Sequence, residues 1–178
     1  MKRISIKSSY DVFVGEYPFH KQLYDELVST LEEYPDKQDR NTNVKATMTE
    51  WNWDPISDRL KRLKNCVIQD AKSKFFQHAG YLYEHPLAFF ESFWGNVYHK
   101  GDCAVTHHHL YSHLSMVYFL KTKWYHSPLV FTYSGKKIRP KGGRYVLFPS
   151  HIMHHVPIHR FKETRITLSG NIILKEEI

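Results

Sequence analysis

The sequence predicts an α+β domain, with two amphipathic helices in its first half and a β-sandwich or barrel of short strands in its second. Three observations carry this. Apolar residues up to Phe75 recur at intervals of three and four. From Leu87 onward the chain turns to short runs of β-branched and aromatic residues. Ser134-Gly135 and Lys141-Gly142-Gly143 punctuate those runs as turns. At 178 residues the chain suits one domain with its own core, and it contains no internal repeat and no low-complexity linker. It therefore divides into a helical support region with short N-terminal strands, residues 1–85, and a strand-rich core, residues 86–178.

The elements follow in order. Ile4 to Val14 reads as one or two short strands, best supported at Asp11-Val12-Phe13-Val14. Pro18 then opens a helix whose stripe is Phe19, Leu23, Leu27, Leu31 and Tyr34, ended by Pro35-Asp36. Lys37 to Glu50 is polar and reads as a loop; Trp51 and Trp53 beside it are either a lid or anchors for the next helix. Asp54-Pro55 looks like an N-cap followed by proline at the first helical position. Ile56, Leu60, Leu63, Val67, Ala71 and Phe75 form the buried face of that second helix, and Gly80 lies past its end. Strands are expected at Ala88 to Tyr98, Leu114 to Lys121, Leu129 to Tyr133, Tyr145 to Phe148 and Arg165 to Leu174.

Composition excludes some classes. Hydrophobic residues make up 42% and aromatics 15%, too apolar for a disordered chain. No run approaches the ~20 apolar residues that span a bilayer, and the N-terminus has no signal-peptide pattern, so no membrane partner is expected. Cys66 and Cys103 sit in no paired motif and read as free thiols of a reducing cytoplasm. The net charge of +7 is unevenly placed. Between Cys103 and Lys162 there is no Asp or Glu, and ten of the 13 histidines lie beyond Tyr98. A solvated basic face accounts for the lysines, but not for the histidines.

Residues two apart in a strand share a face, so an extended Thr106 to His109 presents His107 and His109 together and turns His108 away. His154, after the strand-like Tyr145 to Phe148 and Pro149-Ser150, supplies a third imidazole if neighbouring strands bring it there. His113, His151, His155 and His159 are assigned to core, support or surface. Arg165 comes eleven positions after His154, with Thr167 on the same strand face. A guanidinium pairs two-pronged with a carboxylate, and a neighbouring hydroxyl adds one hydrogen bond.

These pieces resemble the 2-oxoglutarate/Fe(II)-dependent oxygenase superfamily, and within it a family with a His-x-His…His metal motif known mostly from sequence. The matching segments are Trp94-Gly95-Asn96-Val97-Tyr98, Gly101-Asp102, His107-His108-His109 running into Leu114 to Leu120, Phe148-Pro149-Ser150 with His154, and Arg165-Ile166-Thr167 leading to Asn171. The resemblance implies a double-stranded β-helix, or jelly-roll, barrel buttressed by the N-terminal helices. It also implies Fe(II) on His107 and His154, and 2-oxoglutarate gripped through its far carboxylate by Arg165 and Thr167. Tyr98 or Tyr118 would add a hydrogen bond to the co-substrate. It further implies O2 as the oxidant, succinate as the co-product and hydroxylation of an unidentified substrate as the default outcome, the basic C-terminal half suiting an anionic one. No further acid or base is required.

The sequence departs from the pattern at one place. The superfamily usually carries an aspartate two residues after the first histidine, where this chain has His109. Either His109 is the third ligand or the position stays open. Two rival readings follow: a cupin-like three-histidine metal dioxygenase that uses no 2-oxoglutarate, and a basic nucleic-acid-binding module with Tyr98, Trp124, Tyr125 and Tyr133 as stacking platforms.

Overall fold

The computed structural model describes residues 9–35, 42–78 and 86–176. The expected strand residues Ile4 to Ser8, the loop residues 36–41 and Gly80 lie outside them. In chain order the elements are β1 (Phe13–Glu16), α1 (His20–Glu32), β2 (Val44–Lys45), β3 (Thr47–Met48), α2 (Asp58–His78), β4 (Pro86–Tyr98), β5 (Cys103–His107), β6 (Leu114–Lys121), β7 (Leu129–Phe131), β8 (Lys136–Ile138), β9 (Arg144–Pro149), β10 (His154–Val156) and β11 (Arg165–Glu176).

The strands form two antiparallel sheets. One has six strands in the order β1-β9-β6-β11-β4-β3, the other five in the order β2-β5-β10-β7-β8. Non-sequential neighbours of this kind are the mark of a jelly roll, in which hairpins fold over one another so that consecutive strands fall in opposite sheets. Between the sheets, Phe119 of β6 and Phe148 of β9 join Leu129 and Phe131 of β7 in one apolar cluster. Tyr98 of β4 joins Ala104 of β5 and Val156 of β10 in another.

On its other face the six-stranded sheet carries the helices. Leu23, Leu27, Leu31, Leu60, Leu63 and Val67 share a core with Phe93, Val97, Met116, Ile166 and Leu168. The helical stripes read from the sequence are therefore the packed faces, with two exceptions. Phe19 is half-exposed and Ile56 fully exposed. The reason for Ile56 is that α2 begins later than expected: the Ser57 hydroxyl accepts the Leu60 N–H at 3.0 Å and is the actual cap. Asp54 instead pairs with Lys64 at 2.6 Å. Gly95 of β4 lies against α1 so closely that a Cβ there would stand 2.6 Å from a Leu31 methyl.

Part of the polar segment Lys37 to Glu50 is strand. β2 extends the five-stranded sheet beside β5, and β3 extends the six-stranded sheet beside β4. Val44, Ala46 and Thr47 are buried by this pairing, a pattern hidden by the Asn and Thr around them. β5, β8 and β10 were also not delimited by composition; each is three to five residues long.

Candidate metal centre and carboxylate pocket

β5 and β10 are adjacent and antiparallel, and His107 stands directly opposite His154 in their register. Their ring centroids are 4.3 Å apart. β5 ends at His107, and His109 lies just beyond it. Its N–H donates to the Ser150 carbonyl at 2.8 Å, which holds the extended course of the chain long enough for the third ring to turn the same way. The His109 centroid is 5.0 Å from His107 and 5.4 Å from His154. One nitrogen from each ring lies within 4.8 Å of the other two. Among the described residues this is the only group of three or more potential protein ligands so gathered.

The outer nitrogens of two rings are already committed. His107 Nδ1 lies 2.7 Å from the Val105 carbonyl and His154 Nδ1 2.9 Å from the Ile152 carbonyl. A carbonyl only accepts, so each Nδ1 carries the proton and each Nε2 keeps its lone pair for a cation. His109 is held differently: its Nδ1 is 3.5 Å from the amide nitrogen of Asn171. Burial keeps the rings neutral, pushing His154 down to about 3 and His109 down to about 4, with the neighbouring imidazoles adding to the shift. Burial likewise lowers His107. Neutral imidazole is the form that binds metal.

The three histidines line a small cavity of about 30 Å³ between the sheets, and Arg165 and Thr167 line it too. Arg165 is 1% exposed, and none of its three guanidinium nitrogens has a hydrogen-bond partner among the described residues. Its guanidinium lies over the Tyr98 ring, 4.6 Å from the centroid, and 5.5 Å from that of Phe119. Aromatic faces attract a cation but do not satisfy its N–H groups. Burial lowers the Arg165 pKa, opposed by Tyr98, and burial raises the Tyr98 phenol against the pull of Arg165. An arginine stays charged in proteins, so a buried cation stands at the cavity with no hydrogen-bond partner among the described residues.

Strand alternation explains the lining and corrects one expectation. Along β11, Arg165, Thr167, Ser169 and Asn171 share the cavity, while Ile166, Leu168 and Ile172 join the helix-side core. β4 does the same with Trp94, Asn96 and Tyr98. On β6, however, Tyr118 is on the helix side with Met116 and Leu120, and its hydroxyl meets His20 Nδ1 at 2.8 Å. Tyr118 therefore does not line this cavity, whereas Ser115 and Val117 do. Tyr98, buried opposite Arg165 in register, is at the site but is closed to base stacking.

Several polar residues at the site carried no sequence signal beyond their period of two. Asn96 accepts from the Trp94 indole at 3.0 Å and donates to Ser169 at 3.0 Å and Thr167 at 3.4 Å. Ser115 pairs with Ser150 at 2.9 Å and donates to Asn171 at 3.2 Å, whose amide donates to Ser92 at 3.1 Å. Of the other histidines, His113 accepts the Leu174 N–H at 3.3 Å, His155 meets Thr132 at 3.0 Å and His151 packs on Tyr10. None joins the triad. Trp53 is in the core, whereas Trp51 is half-exposed and packs edge-on against Trp94, centroids 4.7 Å apart. Cys66 and Cys103 are free. Among the described residues no helix is long and apolar enough to cross a membrane.

No family model and no curated protein matches the chain by sequence. Solved structures do match. The viral collagen prolyl hydroxylase of Paramecium Bursaria Chlorella virus-1, in its 2-oxoglutarate complex, aligns with a TM-score of 0.68 at 12% identity, covering 90% of this chain and 94% of its own. A Pseudomonas putida prolyl-4-hydroxylase gives 0.68 at 15% identity, covering 95% and 94%. HygX of Streptomyces hygroscopicus, with nickel and 2-oxoglutarate bound, gives 0.59 at 9% identity, covering 90% and 82%. The resemblance read from the motifs thus has its counterpart in three dimensions: the chain shares the fold of these solved structures, built here of two antiparallel sheets, and gathers three histidines in it.

Proposed function

We propose that the chain is a 2-oxoglutarate-dependent iron(II) oxygenase, with a hydroxylase reaction on a substrate still to be identified. The two sheets are the halves of a double-stranded β-helix, and α1 and α2 brace its larger half. The observation that carries the reading is the buried, unpartnered Arg165 guanidinium in the same cavity as three neutral imidazoles. A buried charge without a partner costs several kcal/mol, and such a cost persists where a ligand supplies the missing counter-charge.

His107 and His154 would hold the metal through Nε2, with their carbonyl-bound Nδ1–H groups fixing both tautomers. His109 is the third candidate ligand. A three-imidazole set leaves a divalent ion at charge +2, one unit above the usual two-histidine, one-carboxylate set, and so favours an anionic keto acid. Arg165 would take the far carboxylate of the co-substrate in a two-pronged pair, with the Thr167 hydroxyl beside it and Tyr98 as the wall. When bound, iron(II), O2 and 2-oxoglutarate supply the oxidising chemistry, coupled to release of succinate and CO2. The protein's task is to orient them and to keep water out, which the Phe119, Phe148 and Leu129 cluster does.

Two of the solved structures whose fold it shares are prolyl hydroxylases, and a peptide is the first substrate class to test. The cupin-like alternative shares the three histidines but gives Arg165 nothing to bind. An anaerobic titration of iron(II) and 2-oxoglutarate should develop the visible charge-transfer band of a chelated keto acid, lost in His107→Ala and weakened in Arg165→Ala. Absence of a band in the unmodified protein, or a band indifferent to Arg165→Ala, overturns the reading.

A further inference from the structure

Outside the metal cavity, a groove of about 1000 Å³ is lined from the edge strands of both sheets. Among the described residues, β8 ends the five-stranded sheet and pairs only with β7, and β1 ends the six-stranded sheet and pairs only with β9. Strand alternation makes the lining regular. Lys136 and Ile138 of β8 face the groove, whereas Lys137 between them does not line it. Val12 and Val14 face it from the other edge, whereas Phe13 turns to Phe75 of α2, centroids 4.7 Å apart. Phe131, Ile152 and Met153 complete the apolar lining. Two exposed tyrosines border it, Tyr10 at 53% and Tyr133 at 87%.

The groove adjoins the triad without sharing its cavity. Phe131 stands opposite His154 in the register of β7 and β10. Phe148 packs on both, 5.2 Å from the Phe131 centroid and 4.8 Å from that of His154. Met153 precedes His154 in the chain, and its carbonyl accepts the Thr132 N–H at 2.9 Å. The charge at this edge is one-sided. Lys136, Lys137 and Arg139 are exposed, and among the described residues none of them is in an ion pair. Asp11 is the one acid among the described lining residues, and Glu16 of β1 is taken up by Lys141 and Arg144.

An open strand edge offers backbone donors and acceptors to an extended chain, and the charges beside it decide which chain is accepted. A second copy of this protein, at +7, would set the same lysines against themselves. A nucleic acid would satisfy the cations but leave the apolar pleat unfilled and the strand edge unpaired. We propose that the β8 edge is a docking site for an extended acidic peptide, which pairs with β8 as an added strand. Its apolar side chains alternate with carboxylates, the first entering the groove beside Ile138 and the second meeting Lys137 and Arg139. Lys136 takes one further carboxylate. The added strand would lie about 14 Å from β10 by the spacing of strands, so the edge recruits a peptide beside the metal centre. Docking itself is independent of the co-substrate reading, and only its use in catalysis rests on that reading.

The test uses the full chain without metal and fluorescein-labelled decapeptides read by anisotropy. The probes are alternating Glu-Val, alternating Lys-Val, and a peptide of the first composition with its Glu and Val in two blocks. Alternating Glu-Val should bind saturably, and the other two roughly tenfold more weakly or not at all. In the double variant Lys136→Glu/Lys137→Glu the preference should reverse, with Lys-Val bound and Glu-Val lost, which a merely damaged edge cannot produce. Amide exchange in β8 should slow when Glu-Val binds, the mark of strand addition as opposed to charge contact alone. Failure of Glu-Val to bind, equal binding of the blocked peptide, unchanged exchange in β8 or no reversal in the variant overturns the proposal. So does tighter binding of an oligothymidylate of equal charge. None of these readouts involves metal or 2-oxoglutarate, so their failure leaves the keto-acid titration standing, and failure of that titration leaves them standing.

Discussion

Replacing Arg165 by methionine should raise the stability of the metal-free protein while abolishing its response to 2-oxoglutarate. The side chain is 1% exposed, its nitrogens have no partner, and the methionine chain fills much of the same space. Removing buried charge in favour of packed apolar atoms stabilises by about 1–4 kcal/mol. Against this stands the loss of cation–π attraction to Tyr98 at 4.6 Å and Phe119 at 5.5 Å, about 0.5–2 kcal/mol in a desolvated setting. The net expectation is a gain of about 1–2 kcal/mol, or roughly 2–8 °C in Tm for a chain of this size. Thermal unfolding with and without 2-oxoglutarate in the presence of Mn(II) measures both effects. The unmodified protein should gain about 2.7 kcal/mol at a hundredfold excess over Kd, and the variant nothing. A variant less stable than its parent by more than 1 kcal/mol would show that the guanidinium is satisfied in the folded protein, and the carboxylate argument would lose its physical basis.

His109→Asp converts the triad to two imidazoles and a carboxylate; calorimetry should show tighter divalent metal and weaker 2-oxoglutarate binding, because the site's charge falls by one. His107→Ala and His154→Ala should each abolish stoichiometric Mn(II) uptake while leaving circular dichroism unchanged. Below pH 6.5 the unfolded chain binds protons that buried His154, His109 and His126 refuse, so stability is fully present above 6.5 and declines as pH falls toward about 4. Each ring contributes up to about 1 kcal/mol per pH unit, and urea midpoints that stay flat from pH 7 to 4.5 would contradict their burial as neutral groups. Ser57→Ala should cost about 1 kcal/mol by urea unfolding, whereas Asp54→Ala should cost less, since Ser57 and not Asp54 caps α2.

The local patterns lay open in the chain. Leu23, Leu27 and Leu31, then Leu60, Leu63 and Val67, fix two helix faces by their spacing alone, because a helix must bury its apolar stripe. Arg165 and Thr167 follow from the period of a strand in the same way, and His107 and His109 from its continuation just past the end of β5. Alternation does not say which face is inward, however, and so Tyr118 and Tyr98 read alike until β6 was seen to turn its even positions toward α1. Three things were decided only by the tertiary structure. The pairing of β5 with β10 sets His154 against His107 across 47 residues of chain, a register no local pattern encodes. The emptiness of hydrogen-bond partners around Arg165 depends on which residues surround it, and those include Tyr98 of β4 and Phe119 of β6, far from it in the chain. The facing of His126 and His159 likewise arises from a turn and a connection that meet only because the sheets fold over one another, since hydrogen bonding and burial act between neighbours in space and leave no periodic trace along the chain.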